Sequence, residues 1–218
     1  MKRYLNIIAI GVLCLGIFSC KKTSFNYPDG TVGISKITYF PILTLKGDKV
    51  TILSKGTAYT EAGVVATEAG APIATVTTGQ VNVNTAGVYT LTYTATNKDG
   101  FPASVARTVV VYDTQPDAIG NDFTGSYARN TNGELAVWTK LAPGVYSVRN
   151  PGGAVGASLT VIAFNNTGNR LYIPSQNASD GTPTSSSNES PYNPVTKAYS
   201  WVIINPGYGG ALRTFIKQ

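Results

Sequence analysis

The chain has no histidine and two cysteines, Cys14 and Cys20. Without histidine it lacks the commonest general base and the commonest metal ligand, which removes most hydrolytic constellations. A glycosidase needs two facing carboxylates. The C-terminal half offers Glu134, Asp180 and Glu189, and nothing in their spacing pairs them. No Gly-x-Ser-x-Gly turn supplies a nucleophile either. What the C-terminal half does hold is aromatic rings and planar polar groups. Rings stack on the C–H faces of sugars, and amides or carboxylates bond hydroxyls. Trp138, Tyr172, Tyr192, Tyr199, Trp201 and Tyr208 supply the first kind, and Asn177, Asp180, Asn188 and Asn205 the second. The expected chemistry is non-covalent binding, not catalysis, with no cofactor and no metal. The candidate ligand-binding residues are Tyr192, Tyr208, Trp201, Trp138, Tyr172 and Asn205.

The positions of these residues differ in kind. Pro191-Tyr192-Asn193-Pro194 and Pro206-Gly207-Tyr208-Gly209-Gly210 place two tyrosines in turns, where rings are hard to bury. Trp201 alternates with Tyr199 and Ile203, a pattern that suits a strand core as well as a binding face, and large aromatics are mostly buried.

The elements that carry these residues are strands. The 218 residues are long enough for two domains, charged residues make up 13%, glycine and proline are frequent, and the region after the N-terminal leader shows no sustained helical period. The formal charge is +6. The lysines and arginines are scattered singly, so nucleic acid, which needs clustered positive charge, is not an expected partner.

Residues 1–20 read MKRYLNIIAIGVLCLGIFSC, a basic start followed by an apolar run too short for a comfortable membrane span. This is the layout of a secretory signal peptide. The end, Ile17-Phe18-Ser19-Cys20, resembles a bacterial lipobox. The resemblance implies a leader over 1–19, cleavage before Cys20 and a diacylglycerol on its sulfur, hence anchorage in the outer membrane. Lipoproteins displayed on Bacteroidetes cells often carry acidic residues after that cysteine; Lys21 and Lys22 stand here instead and leave the leaflet open. With Cys14 in the leader, no internal disulfide is possible. Residues 20–31 read as a flexible tether.

In the stretch 87–113, Tyr89, Leu91, Tyr93 and Ala95 alternate with threonines, and the β-branched run 105–112 returns after an Asp99-Gly100 turn, so the two read as a hairpin. Further short runs at 34–45, 50–53, 59–66, 73–76 and 80–83, broken by glycine, describe an antiparallel sandwich over 32–113. The segments LTLKGD, YTEAGVVA, VNTAGVYTLTYTATNKDG and ARTVVVYD resemble a bacterial immunoglobulin-like domain family of cell-surface proteins. Tyr59, Glu61, Gly63, Gly87, Tyr89, Tyr93, Asp99, Gly100, Arg107, Val109 and Val111 occupy the family's positions. The resemblance implies the fold and leaves the ligand open.

Residues 114–122, rich in turn formers, read as a linker, and the spacing of Asp113, Asp117 and Asp122 matches no calcium-loop pattern. From 123 to 218 a second antiparallel domain is expected, a small barrel or sandwich, with strands at 123–129, 134–140, 143–149, 158–164, 170–174, 199–205 and 211–217. Residues 175–194 read as a long polar loop between them. The opening Phe-Thr-Gly-Ser-Tyr, the Trp138-Thr139-Lys140 and Gly144-Val145-Tyr146 hairpin and the aromatic closing strands resemble C-terminal domains of Bacteroidetes lipoproteins that accompany starch-utilisation-type glycan uptake. That resemblance implies a non-catalytic accessory holding polysaccharide near an outer-membrane transporter complex. The alternative is a structural or adhesive surface protein with the immunoglobulin-like domain as spacer.

Overall fold

A computed structural model describes residues 28–32, 35–187 and 190–218. The expected leader over 1–19, the expected lipidation site Cys20 and the expected tether as far as residue 27 lie outside the described residues, as do Asn188 and Glu189. A short hairpin, β1 (Thr31–Val32) and β2 (Ser35–Lys36), belongs to a unit ending at Tyr39, and Phe40–Gln218 forms a second compact unit. Among the described residues there is no helix. The protein is all-β.

The larger unit begins with a sandwich. One sheet holds β3 (Ile42–Leu45), β5 (Val64–Glu68) and β6 (Ala71–Pro72). The other, ordered β4-β9-β8-β7, holds β4 (Val50–Ser54), β7 (Val76–Thr78), β8 (Gly87–Thr96) and β9 (Pro102–Tyr112). The expected hairpin is β8–β9, paired from Gly87↔Val111 to Thr96↔Pro102. Gly100 turns it at φ +88°, while Asn97 accepts the N–H groups of Asp99 and Phe101. Leu91, Tyr93 and Ala95 of β8 and Val109 and Val111 of β9 point into the sandwich and are buried. β4 pairs with β9 in parallel, so the sheet is mixed where the sequence pattern suggested a purely antiparallel one. The chain makes that parallel pair by crossing to the other sheet between the two strands.

The run 59–66 forms a strand only from Val64, because Tyr59 and Glu61 turn inward to meet Arg107. Arg107, 2% exposed, sets its Nε 2.9 Å from Glu61 Oε1. Its Nη atoms donate to the carbonyls of Asp48, Lys46 and Gly63. Glu61 also accepts the Tyr59 hydroxyl and, at 2.8 Å, the Gly63 N–H. Burial alone would raise the Glu61 carboxyl; hydrogen bonds from Tyr59, Tyr93 and Gly63 and the charge of Arg107 outweigh it and hold it below its ordinary 4.5. Five of the motif positions thus form one buried polar network that ties loops 46–48 and 59–63 to β9.

Val110 points to the opposite face of β9 from Val109 and Val111, yet it too is fully buried. It packs with Val145 and Phe164 of the C-terminal module, and its cross-strand neighbours Ile52 and Val88 extend the patch. The segment expected to be a linker is bound along this contact. Gln115 N–H donates to the Asn166 carbonyl at 2.7 Å, Thr114 Oγ1 to the Pro143 carbonyl at 2.8 Å, and Asp117 Oδ2 accepts Thr167 Oγ1 and the Gly168 N–H. A Cβ on Gly144, which has φ +65°, would fall 2.3 Å from Thr114 Oγ1 and 2.4 Å from the Asn165 carbonyl, so the fit there is specific to glycine.

The C-terminal module is one eight-stranded sheet, β13-β12-β11-β10-β19-β18-β16-β15. In chain order these are β10 (Gly125–Arg129), β11 (Leu135–Ala142), β12 (Val145–Arg149), β13 (Thr160–Phe164), β14 (Arg170–Leu171), β15 (Gln176–Asn177), β16 (Pro183–Ser187), β17 (Ser190–Pro191), β18 (Ala198–Ile204) and β19 (Leu212–Lys217), with β14 and β17 paired apart. A side chain joins the first and last strands of the order. The Gln176 amide donates to the Ile162 carbonyl at 2.7 Å and accepts the Ile162 N–H at 2.8 Å, as a neighbouring backbone would. Ser179 N–H and Oγ bond Thr160 beside it. The sheet thereby closes into a small barrel.

The stretch 175–194 is therefore not one polar loop. It supplies β15, β16 and β17, and β16 pairs with β18 from Ser185↔Ile204 to Ser187↔Val202. Its serines and threonines hid the strand from a hydrophobic reading, and they bond the sheet instead: Ser186 Oγ accepts the Ile173 N–H at 2.8 Å.

Replacing Arg107 by Met leaves Glu61 without its counter-charge and the carbonyls of Lys46, Asp48 and Gly63 without their charged donor, and losing hydrogen bonds to a charged group costs about 2 kcal/mol. Urea unfolding of Arg107→Met is expected to show a lower midpoint at unchanged slope. Because the Glu61 carboxyl is depressed, its contribution is present above pH 4.5 and fades as pH falls through its folded value, so acidification should destabilise wild type more than Glu61→Gln. An unchanged midpoint in Arg107→Met would show that the network does not hold the sandwich.

Candidate functional site

The barrel interior is filled with rings. Trp138, Trp201, Tyr127, Tyr146, Tyr199 and Phe215 are all fully buried side chains. The alternation of β18 sends Tyr199, Trp201 and Ile203 inward, where Trp138 and Trp201 stack at 5.6 Å between ring centroids. Each polar atom has a partner: Trp138 Nε1 donates to the Tyr199 hydroxyl at 2.9 Å, Trp201 Nε1 to the Pro151 carbonyl at 2.9 Å, and Tyr146 OH to the Asn121 carbonyl at 2.9 Å. Burial raises the Tyr199 phenol well above its ordinary value, so it stays neutral. Trp138 and Trp201, each 1% exposed, are core and offer no ring face to a ligand. Their place among the candidate binding residues is corrected by that burial: the inward alternation of the strands carries them into the barrel.

Tyr172 and Tyr192 are half-buried and serve packing. Tyr172 meets Phe164 edge-on at 5.7 Å and its hydroxyl accepts from Asn166 Nδ2 at 2.7 Å, beside the contact between the two modules. Tyr192 lies edge-on to Phe123 at 5.0 Å and to Tyr127. Neither lines the clefts described next. The ring expected in the second turn is placed differently.

Tyr208 stands at the top of a turn between β18 and β19, where its N–H donates to the Asn205 carbonyl at 3.0 Å. Its ring rests so close on Gly152 that a Cβ there would lie 2.7 Å from two ring carbons, and the Arg213 guanidinium sits 5.2 Å from its centroid. Burial raises the Tyr208 phenol, with the charge of Arg213 opposing, and the hydroxyl is neutral at physiological pH.

Two clefts meet at this residue. One, of about 550 Å³, is lined by Ser158, Leu159, Ser179 and Asp180 with Asn205 and Tyr208. The other, of about 440 Å³, has an apolar wall of Pro183, Val202, Ile204 and Pro206 on the far side of the same Asn205 and Tyr208. Both volumes lie in the range of small-ligand sites. Asp180 is exposed, and its Oδ1 accepts the Thr182 hydroxyl at 2.6 Å and the Thr182 N–H at 2.9 Å. Those bonds hold its carboxyl below the ordinary range, so it is an anion at neutral pH with Oδ2 unpartnered among the described residues.

Asn205 has a different part. Its Nδ2 donates to Thr182 Oγ1 at 3.0 Å and Thr184 Oγ1 at 2.7 Å, and its Oδ1 accepts the Gly207 N–H at 2.8 Å. Its amide donors thus tie it to the neighbouring segment 182–184 and its oxygen closes the turn below Tyr208, so Asn205 braces the turn with its side chain already partnered. Asn177 is exposed and lines neither cleft. Ser158, Ser179 and Gly152 were not among the expected site residues; the glycine-rich stretch 152–156 was their one sequence signal, since glycine marks close approach of a ring to backbone.

Residues 43–111 match the family model described as "Bacterial surface protein, Ig-like domain", and the fold of the first module is immunoglobulin-like. No curated protein matches the chain. Among solved structures, a lipoprotein from Bacteroides thetaiotaomicron is 25% identical, with 82% of this chain and 100% of that chain covered and a TM-score of 0.40. The M60 catalytic domain of Clostridium perfringens ZmpB with its two CBM51 domains is 13% identical, with 84% of this chain and 21% of that chain covered and a TM-score of 0.30. At overlaps of that size the second module rests on its own strands and side chains.

Proposed function

We propose that the protein is a non-catalytic glycan-binding accessory of the cell envelope, anchored in the outer membrane through a lipid on Cys20, which holds polysaccharide for an uptake complex. The observation that carries the binding part is the placement of Tyr208 and Asp180: a neutral aromatic phenol on a turn packed against Gly152, an ionised carboxylate, and an apolar wall, all at one surface region. A sugar presents hydroxyls and C–H faces together, and that mixture is what this surface complements. Water-soluble polymers also suit a site on the rim, since the filled interior of the barrel leaves nothing to enter.

The match of residues 43–111 to a domain of bacterial surface proteins supports an envelope location, and the lipobox-like Ile17-Phe18-Ser19-Cys20 supports the anchor.

Electrophoresis through gels containing starch, laminarin, hydroxyethylcellulose or galactomannan tests the binding. At least one polymer should retard the protein, and Tyr208→Ala and Asp180→Asn should each weaken that retardation roughly tenfold, the equivalent of about 1.4 kcal/mol. Retardation by none of them would favour the structural or adhesive alternative, with the immunoglobulin-like domain as spacer. For the anchor, a radiolabelled fatty acid should enter the wild type and not Cys20→Ala; equal incorporation would contradict it.

A further inference from the structure

We infer that the surface beside Tyr208 is one link of a longer track built for a linear polysaccharide bound along its length, so that the internal units of the chain, and not its end, are recognised. This rests on the glycan-binding reading above and names its substrate class. A third cleft, of about 450 Å³, lies beyond the polar one and shares Gly156, Ala157 and Ser158 with it. The polar cleft shares Asn205 and Tyr208 with the apolar one. Three depressions thus adjoin one another in turn, each sharing lining residues with the next.

Their linings differ in a way that suits successive units of a polymer. The first has the hydrocarbon of Val202 and Ile204, against which a sugar ring's C–H face packs. The middle one has Asp180 and the serine hydroxyls. The third has the carboxylate of Glu134 and the guanidinium of Arg149, both able to bond hydroxyls. Any one of these volumes is enough for a small ligand. A site for a monosaccharide or a chain end would need only one of them, closed on its far side. Here the middle cleft adjoins both of the others, one through Asn205 and Tyr208 and one through Gly156, Ala157 and Ser158, and their lining residues are carried by strands and their ends: Ile204 ends β18, Arg149 ends β12, and Glu134 precedes β11.

Isothermal titration of the full-length protein, solubilised in a detergent without a sugar headgroup, separates the possibilities. The probes are the disaccharide and hexasaccharide of the α-1,4-glucan, β-1,3-glucan, β-1,4-glucan and β-1,4-mannan series. In the series that binds, the hexasaccharide is expected to bind at least tenfold tighter than the disaccharide. Ile204→Asp and Arg149→Ala, at opposite ends of the track, should each weaken the hexasaccharide at least threefold and change the disaccharide by less than twofold, with melting temperatures checked alongside. Equal affinities for the two lengths, or an unaltered hexasaccharide affinity in both variants, would overturn the track and leave the glycan-binding reading standing. Binding of none of the eight probes would overturn the track, and with gels that also retain nothing it would overturn both.

Discussion

Everything on the outside of the C-terminal module depends on its interior being full. Two indoles, three phenols and a phenyl ring occupy the space enclosed by the sheet, in edge-on and stacked pairs with centroids 4.8–6.4 Å apart. Such pairs contribute about 0.5–1.5 kcal/mol each beyond the area they bury. The packing also carries a constraint, because an indole N–H or phenol O–H left unpaired in such a core costs about 1–3 kcal/mol. The fold meets it with the Trp138–Tyr199 bond and with the carbonyls of Pro151, Asn121 and Phe123, which lie in connections outside the strands. Those bonds reach outward from the core and fix the loops. Pro151 holds the start of the glycine-rich loop on which Tyr208 rests, so the core and the rim share this contact.

The same economy governs the contact between the modules. β9 is buried on both faces, one by the immunoglobulin-like core and the other by Val145 and Phe164. The chain then runs from Tyr112 into a segment whose backbone and side chains are bonded to loop 165–168. A module held this way transmits its orientation to the next. The hairpin that looks most regular in the sequence therefore serves as the base on which the C-terminal barrel stands.

Legibility followed the chemistry of each element. The β8–β9 hairpin was readable because its threonines alternate with apolar residues, and Tyr59, Glu61, Gly63, Tyr93 and Arg107 were readable as a motif whose reason, one buried ion pair with its hydrogen bonds, only the structure shows. The run Val109-Val110-Val111 carried a further signal, since an unbroken apolar strand is one covered on both sides. β16 was not readable, because its residues after Pro183 all bear hydroxyls on both faces and its Thr184 and Ser186 are bonded by Asn205 and Ile173 from elsewhere in the chain. The closure by Gln176 left no local trace either; an amide replacing a strand is a tertiary event. For the candidate site, the turn prolines and glycines marked Tyr208 as a ring outside the strands, which is where the structure places it, at the edge of two clefts, whereas residue type alone did not distinguish it from Trp138 and Trp201, which the strand register turns inward.

Hydrogen–deuterium exchange with and without a saturating bound hexasaccharide tests most directly whether recognition takes place on the rim over a filled barrel. Slowed exchange is predicted in the segments 152–159, 178–182 and 204–210, with the barrel strands and the immunoglobulin-like sheets unchanged. Protection confined to the sheets of the first module, or protection of the strands that surround Trp138 and Trp201 without the rim, would contradict it.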